Sequence, residues 1–134
     1  MGLDMYLEGV RYIPAEKDEN GKIIKRREVI KTLLLDWRKN YPIHSYFDNL
    51  FNVENCVNYE LTYEQLKEFI DKCKMAYLNP DSAESIMPDT WYGTHYDEYD
   101  NGEYYIQDFK DTVKELEDIV EDDWFDWFEY HAWW

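Results

Sequence analysis

The sequence contains little cysteine and no long apolar run. Its two cysteines, Cys56 and Cys73, are too few for a disulfide scaffold and lack the CxxC spacing of metal or redox sites. No apolar run approaches the roughly 18 residues that a membrane-spanning helix requires. The first residues also lack the basic segment that precedes a secretory signal. We therefore expect a protein with reduced thiols that works in a cytoplasm.

The chain also lacks the motifs of common catalytic sites. It has three histidines and contains no GxSxG, no HExxH and no glycine-rich phosphate-binding loop. Pairs of carboxylates carry little information, because some of the 30 acidic residues will always lie close together. His44 lies beside an apolar stripe, a position more typical of a structural histidine than of a catalytic one. We expect neither an enzyme nor a cofactor.

Basic residues are scarce in the second half, where the negative charge is concentrated. Residues 81–134 contain 17 acidic residues against Lys110 and Lys114, a net charge of −15, whereas residues 1–80 carry 13 acidic and 12 basic residues. Such an excess destabilises a compact fold by self-repulsion, and solubility needs only a few net charges. The aromatic share of 19% nevertheless indicates an ordered core. We therefore interpret the acidic surface as functional.

The N-terminal part, residues 1–36, predicts a basic hairpin. Apolar and polar residues alternate over residues 2–13, which predicts a strand that is interrupted at Gly9. Asn20 and Gly21 are typical of a type I′ turn. Five cations follow the turn and are interpreted as a solvated edge that discourages strand pairing, with contact to a partner as the alternative. They are Lys22, Lys25, Arg26, Arg27 and Lys31.

Helical spacing predicts three helices. Two lie within residues 41–79: Pro42 fits the first turn of one, and Thr62 with Gln65 forms a capping box at the start of the other. The third helix covers residues 104–122. The first helix is expected to turn Ile43, Phe47, Leu50 and Phe51 inward. The third has an apolar stripe of Ile106, Phe109, Val113, Leu116 and Val120.

The remaining segments complete the predicted architecture. Residues 80–103 have no clear period and are interpreted as an acidic loop. Residues 124–134 alternate in a way that suits a terminal aromatic strand paired with the N-terminal hairpin. The sequence therefore predicts one α+β domain over residues 1–134. It combines a small antiparallel sheet with about three helices on one face.

A row of carboxylates on the third helix is the main candidate site. Each of its members follows a core residue by two positions, a rotation of roughly 200°, so the row should face solvent opposite the core. The row is Asp108, Asp111, Glu115, Asp118 and Asp122. The preceding loop would extend it with Asp97, Glu98 and Asp100, and would supply aromatic anchors at Trp91, Tyr92 and Tyr99.

The acidic surface is expected to imitate a nucleic-acid backbone. A basic groove built for phosphates would bind it by the same salt-sensitive attraction. The partner would then be a nucleic-acid-binding protein, with no direct contact to nucleic acid or to a membrane. The alternatives are a surface that is merely solvated, and a homo-oligomeric module, such as a homodimer, paired through C-terminal Trp and Phe residues.

A further alternative is a pocket for a small ligand or a divalent cation near Trp91, Tyr92 and His95. Part of this segment fits a calcium-loop template, with acidic, amide and glycine residues at positions 1, 5, 6 and 12. These are Asp97, Asn101, Gly102 and Asp108. Tyr99, however, stands at position 3, where an oxygen ligand is needed. The sequence therefore predicts weak cation attraction and no specific metal site.

Several short motifs together resemble a family of small uncharacterised bacteriophage proteins. They are the opening MGLDMYL, the run Trp37-Arg38-Lys39 followed by Ile43-His44, and Tyr96-Asp97-Glu98-Tyr99 leading into Phe109-Lys110-Asp111-Thr112. The resemblance extends over most of the chain, although family members are longer, with an insertion near Asn79. It implies a phage-derived protein in the cytoplasm of a bacterial host and assigns no site residue.

This resemblance narrows the expected partner. Small acidic phage proteins are often inhibitors of host defence, including anti-CRISPR and anti-restriction proteins that occupy a nucleic-acid site. By analogy, the resemblance implies a non-enzymatic inhibitor of a CRISPR effector or a restriction enzyme.

Overall fold

The alternating segment near the N-terminus forms one long strand, β1, over Asp4–Ile13. Met5 is fully buried in the core, whereas Tyr6 is only half-buried and lies on the opposite face. The predicted interruption at Gly9 is wrong, because the strand continues through this residue. A Cβ atom at Gly9 would lie 2.6 Å from the ring of Phe125, so only glycine lets this ring cover the strand.

The computed structural model describes residues 2–88, 90 and 103–134. The further strands in these residues are β2 (Glu16–Lys17), β3 (Ile23–Lys25), β4 (Glu28–Arg38), β5 (Tyr59–Leu61) and β6 (Trp127–Trp133). The helices are α1 (Tyr41–Phe51), α2 (Tyr63–Leu78), α3 (Ala83–Ile86) and α4 (Glu103–Asp122), with a 3₁₀ turn over Pro80–Ser82. The predicted α+β class is confirmed.

Four of the strands form the main sheet. Their order is β4-β1-β6-β5, and every neighbouring pair is antiparallel. The terminal strand β6 lies beside β1, which confirms the predicted pairing with the N-terminal hairpin. The short strand β5 was not predicted, because three residues are too few to reveal a period. The remaining strands, β2 and β3, form a separate two-stranded sheet.

The turn between β2 and β3 differs from the predicted type I′ turn. That type requires a positive φ at both central residues, whereas Gly21 has a φ of 79° and Asn20 has no positive φ. Asp18 organises the turn instead. Its backbone oxygen accepts from the Gly21 amide at 3.0 Å, and its side chain accepts from the amides of Asn20 and Lys22 at 2.9 Å each.

The helices begin mostly where their capping residues predict. Thr62 and Gln65 form both hydrogen bonds of the capping box at the start of α2, which confirms that prediction. Two other predictions are wrong. Leu50, expected to face the core, is 43% exposed, and the predicted loop over residues 80–103 begins with a 3₁₀ turn and the short helix α3.

One face of the main sheet carries the core. Leu7 of β1, Phe128 and Tyr130 of β6, Phe47 of α1 and Phe109 of α4 belong to the same buried cluster. The side chains that alternate with these strand residues lie on the other face, called the outer face below. One side of α4 therefore packs into this core, and its other side faces solvent.

Candidate functional site

The acidic row stands on a helix that is held firmly by its opposite side. α4 buries Phe109, Val113 and Leu116, spaced four and three residues apart, as the apolar stripe predicts. The stripe also includes Thr112, whose hydroxyl accepts a hydrogen bond from Trp37 Nε1 at 3.0 Å. Four members of the predicted row lie on the exposed side. They are Asp111, Glu115, Asp118 and Asp122, called the acidic row below.

The fifth predicted member, Asp108, does not face solvent. It is half-buried, and its Oδ2 accepts a hydrogen bond from Asn40 Nδ2 at 2.7 Å. Asn40 is fully buried and caps α1, since its Oδ1 accepts from the Ile43 amide at 3.0 Å. Burial raises the pKa of Asp108, although the Asn40 hydrogen bond opposes this shift. Asp108 therefore joins α4 to the start of α1.

Over residues 2–88 and 103–134, no salt bridge involves any of the four carboxylates of the acidic row. Gln107 Nε2 donates to Asp111 Oδ1 at 3.0 Å, and Lys74 of α2 pairs with Glu117 at 3.3 Å on the flank of α4. The exposed Lys114 lies among these carboxylates, three residues after Asp111, and the row keeps a net negative charge that attracts cations or a basic surface.

The loop that was predicted to extend the row lies outside the described residues. This applies to its acidic residues, to its aromatic anchors and to the histidine of the alternative ligand pocket. They are Asp97, Glu98, Asp100, Trp91, Tyr92, Tyr99 and His95, together with Asn101 and Gly102 of the calcium template. Within the part of the chain that the structure describes, no group of three or more His, Cys, Asp or Glu residues is arranged to hold a metal ion.

A second cluster of charges, which the sequence analysis missed, lies on the outer face of the sheet. Glu129 is only 7% exposed, and Lys31 Nζ donates to its Oε1 at 2.9 Å. This hydrogen bond raises the pKa of Lys31. Trp127 Nε1 donates to the other oxygen of Glu129 at 3.1 Å. Three strands meet in this cluster, so period-two alternation within one strand does not reveal it.

Another carboxylate lies directly opposite Glu129. The register of β1 and β6 pairs it with Glu8, whose Oε1 is 3.4 Å from His131 Nδ1. This histidine also stacks on Tyr6, with ring centroids 4.9 Å apart. Glu60 of β5 pairs with Glu129 on its other side, so three carboxylates lie side by side across the sheet. Lys31 pairs with the central one, and this ion pair ties β4 to β6.

His44 connects α1 with the terminal strand. Its Nδ1 is 2.8 Å from the Tyr130 hydroxyl, and its ring meets Trp134 edge-on at 5.4 Å between centroids. Burial lowers the pKa of His44, although Asp48 opposes this shift, and burial raises the pKa of Tyr130. These contacts give the histidine a structural role, as the sequence predicts.

Replacement of Asp108 tests its assignment as a structural joint. Asp108→Asn keeps an oxygen that accepts from Asn40 and removes the buried charge. Because the folded pKa of Asp108 is raised, the ionised carboxylate destabilises the native state above that pKa. We therefore expect Asp108→Asn to be more stable than the wild type at pH 7. The difference should disappear as the pH falls to about 3.8, the ordinary pKa of aspartate.

The matched variant Asp108→Ala should be destabilised. It leaves the fully buried Asn40 Nδ2 without its acceptor, which costs about 1–2 kcal/mol. Urea unfolding at pH 7 and at low pH measures both effects. Equal stability of the Asn and Ala variants would mean that the hydrogen bond between residue 108 and Asn40 does not stabilise the fold.

Comparison with protein-family models, with curated proteins and with solved structures finds no significant match. The functional argument therefore depends on the described side chains. Within residues 2–88 and 103–134, no helix combines the length and the apolar character needed to cross a bilayer. The exposed acidic row is the candidate site that these residues support best.

Proposed function

We propose that the protein is a non-enzymatic inhibitor whose acidic row occupies the phosphate-binding surface of a nucleic-acid-binding protein. The observation that carries this proposal is the row itself, with four exposed carboxylates on one side of α4 and no salt bridge to them within the described residues. Carboxylates that served solubility alone would not need to lie in one row or to lack salt bridges. A partner that presents its cations in a line would bind this row most favourably.

The support beneath the row favours specific recognition. The opposite side of α4 is packed into the core through Phe109 and Leu116, both fully buried, and Asp108 ties the helix to Asn40. The backbone that carries the carboxylates is therefore ordered before binding. A partner that meets a pre-ordered charge row does not have to order it, and this lowers the entropic cost of association.

The spacing of the row is closer to that of one strand of a duplex than to that of both strands together. Asp111 and Asp122 are separated by about 16 Å along the helix axis, which gives one carboxylate per roughly 5 Å. Phosphates follow one another at about 3.4 Å along one strand, and both strands together give one charge per about 1.7 Å. The row is closer to the single-strand value.

The resemblance to bacteriophage proteins directs the choice of target. A phage-derived inhibitor works in the cytoplasm of the bacterial host, where the nucleic-acid-binding proteins that threaten a phage are CRISPR effectors and restriction enzymes. This is an argument from analogy about the target class.

The test is neutralisation of the row in a competition experiment. Purified protein is added to a panel of CRISPR effectors and restriction enzymes, and binding of labelled nucleic acid is followed by mobility shift. We expect the wild type to displace nucleic acid from one class of target. The triple variant Asp111→Asn, Glu115→Gln, Asp118→Asn should do so about tenfold less well or worse, and with a flatter salt dependence.

A control variant separates the row from net charge. Glu54→Gln, Glu68→Gln and Asp71→Asn remove the same number of charges from exposed positions outside α4. This variant should inhibit like the wild type. Equal inhibition by the wild type and the row variant, or an equal loss in both variants, would contradict recognition through the row.

A further inference from the structure

The distal part of the N-terminal hairpin exposes an unusual amount of apolar surface. This segment, residues 12–33, is called the arm below and contains β2, β3 and the first half of β4. Ile24 is 68% exposed, Leu33 55% and Val29 54%, and Tyr12, Ile23 and Ile30 are each at least 37% exposed. A two-stranded hairpin without packing is only marginally stable in water. The arm is therefore a surface that would gain from a partner.

The same segment carries a cluster of unpaired cations. Residues 22–27 contain Lys22, Lys25, Arg26 and Arg27 and no acidic residue. No salt bridge within residues 2–88 and 103–134 involves any of these four side chains. Arg26 and Arg27 also line a cleft of about 350 Å³ together with Ala15 and Ile23. Guanidinium groups bind carboxylates through paired hydrogen bonds. With an aliphatic side chain beside them, they would bind a protein surface that carries both carboxylates and apolar groups.

The acidic row of α4 has the charge that complements the arm. The five residue steps from Lys22 to Arg27 extend at most about 17 Å in a strand. Asp111 and Asp122 are separated by about 16 Å along the helix. Clusters of opposite charge therefore occur on two surfaces of one chain, and no salt bridge within the described residues involves either cluster. Contact between two copies would bring such surfaces together without refolding.

We propose that the arm binds the acidic row of a second copy of this chain, and that two such contacts form a closed dimer. Each copy then gives its arm to the partner's α4 and receives the partner's arm on its own. Charge complementarity favours this arrangement over pairing between two β4 edges, which would bring the cations of both arms together. The exposed aliphatic side chains of the arm supply the apolar contact that charge alone lacks.

Charge reversal in each surface tests the dimer. The arm variant carries Lys25→Glu, Arg26→Glu and Arg27→Glu, and the helix variant carries Asp111→Lys, Glu115→Lys and Asp118→Lys. Sedimentation equilibrium at low salt should show a dimer for the wild type and a dissociation constant raised about a hundredfold or more for each variant alone. An equimolar mixture of the two variants should dimerise again, because each arm then meets an α4 of opposite charge.

The control reverses the same number of charges outside both surfaces. Lys39→Glu, Lys67→Glu and Lys72→Glu give the chain the net charge of the arm variant and should leave the dimer intact. Circular dichroism verifies that every variant is folded. A wild type that stays monomeric at low salt would overturn the proposal, and so would a dimer that survives arm reversal. If the mixture of the arm variant and the helix variant stayed monomeric, the arm would not bind α4 of the second copy.

The dimer and the proposed inhibition can fail separately. In the dimer the partner's arm covers the acidic row, so the arm and the inhibited target compete for it. The arm variant retains the row uncovered, so it should displace nucleic acid at least as well as the wild type while it no longer dimerises. A wild-type monomer whose arm binds labelled nucleic acid, with loss of binding in the arm variant, would overturn the dimer and assign the arm to phosphates.

Discussion

Phe47→Ala should lower the free energy of unfolding by about 3–5 kcal/mol, the largest effect we expect from a single substitution. Phe47 is fully buried, and its ring stacks on Tyr130 with centroids 4.1 Å apart and meets Phe69 at 4.7 Å. The substitution therefore leaves a cavity between α1, α2 and β6. A domain of this size is stable by only about 5–15 kcal/mol, so the variant should be close to unfolding at 37 °C.

Urea unfolding of this variant measures the effect, and Leu50→Ala in the same helix is its matched control. Both substitutions introduce the best helix former, so helix propensity does not explain a difference between them. Leu50 is 43% exposed, and its removal should cost less than about 1 kcal/mol. Similar losses in the two variants would mean that the aromatic cluster around Phe47 does not organise the core.

Lys31→Met should lower the free energy of unfolding by about 2 kcal/mol. The Lys31 side chain is 41% exposed, but its partner Glu129 has a side chain only 9% exposed and lies opposite Glu8. Without the ammonium group, a buried carboxylate remains beside a second carboxylate, with Trp127 as its remaining donor. The loss of a partner for a buried charge costs more than the loss of an exposed ion pair.

A double variant tests whether the loss of stability comes from the Glu129 carboxylate that is left buried without its partner. Lys31→Met combined with Glu129→Gln removes the charge together with its partner and should recover much of the stability. Lys25→Met, whose side chain has no salt bridge in the described part of the chain, should stay within about 0.5 kcal/mol of the wild type. The free energies of unfolding in urea of the wild type, of Lys31→Met, of the single variant Glu129→Gln and of the double variant give the coupling between Lys31 and Glu129. A coupling near zero would contradict the assignment.

Local signals in the sequence predicted most of the fold. The capping box of Thr62 and Gln65, the stripe of Phe109, Val113 and Leu116, and the alternation around Met5 each depend on residues close in the chain. Such patterns are sufficient to identify an element and the side of it that is buried. The pairing of the terminal strand also followed, because an aromatic alternating segment needs a neighbouring strand.

The errors at the charged residues concern side chains whose environment is set by distant parts of the chain, whereas the turn at Asn20 and Gly21 differs because the nearby Asp18 organises it. Asp108 has the helical position of an exposed residue, yet it is drawn inward by Asn40, which lies 68 positions earlier. Glu129 is buried because Lys31 and Trp127 both reach it, and only the register of three strands brings them together. A single sequence without the sheet register contains no signal for either contact.

The two cysteines differ in a way that is useful for measuring the proposed contacts. Cys73 is fully buried, and burial raises its thiol pKa well above the ordinary value, whereas Cys56 is exposed. The amide of Cys56 donates to Ala132 of β6, so this residue lies on the β5 side of the sheet, opposite the β4 edge. A maleimide dye should therefore attach at one position in the natural sequence. Energy transfer between two labelled copies would then report their separation without any engineered residue.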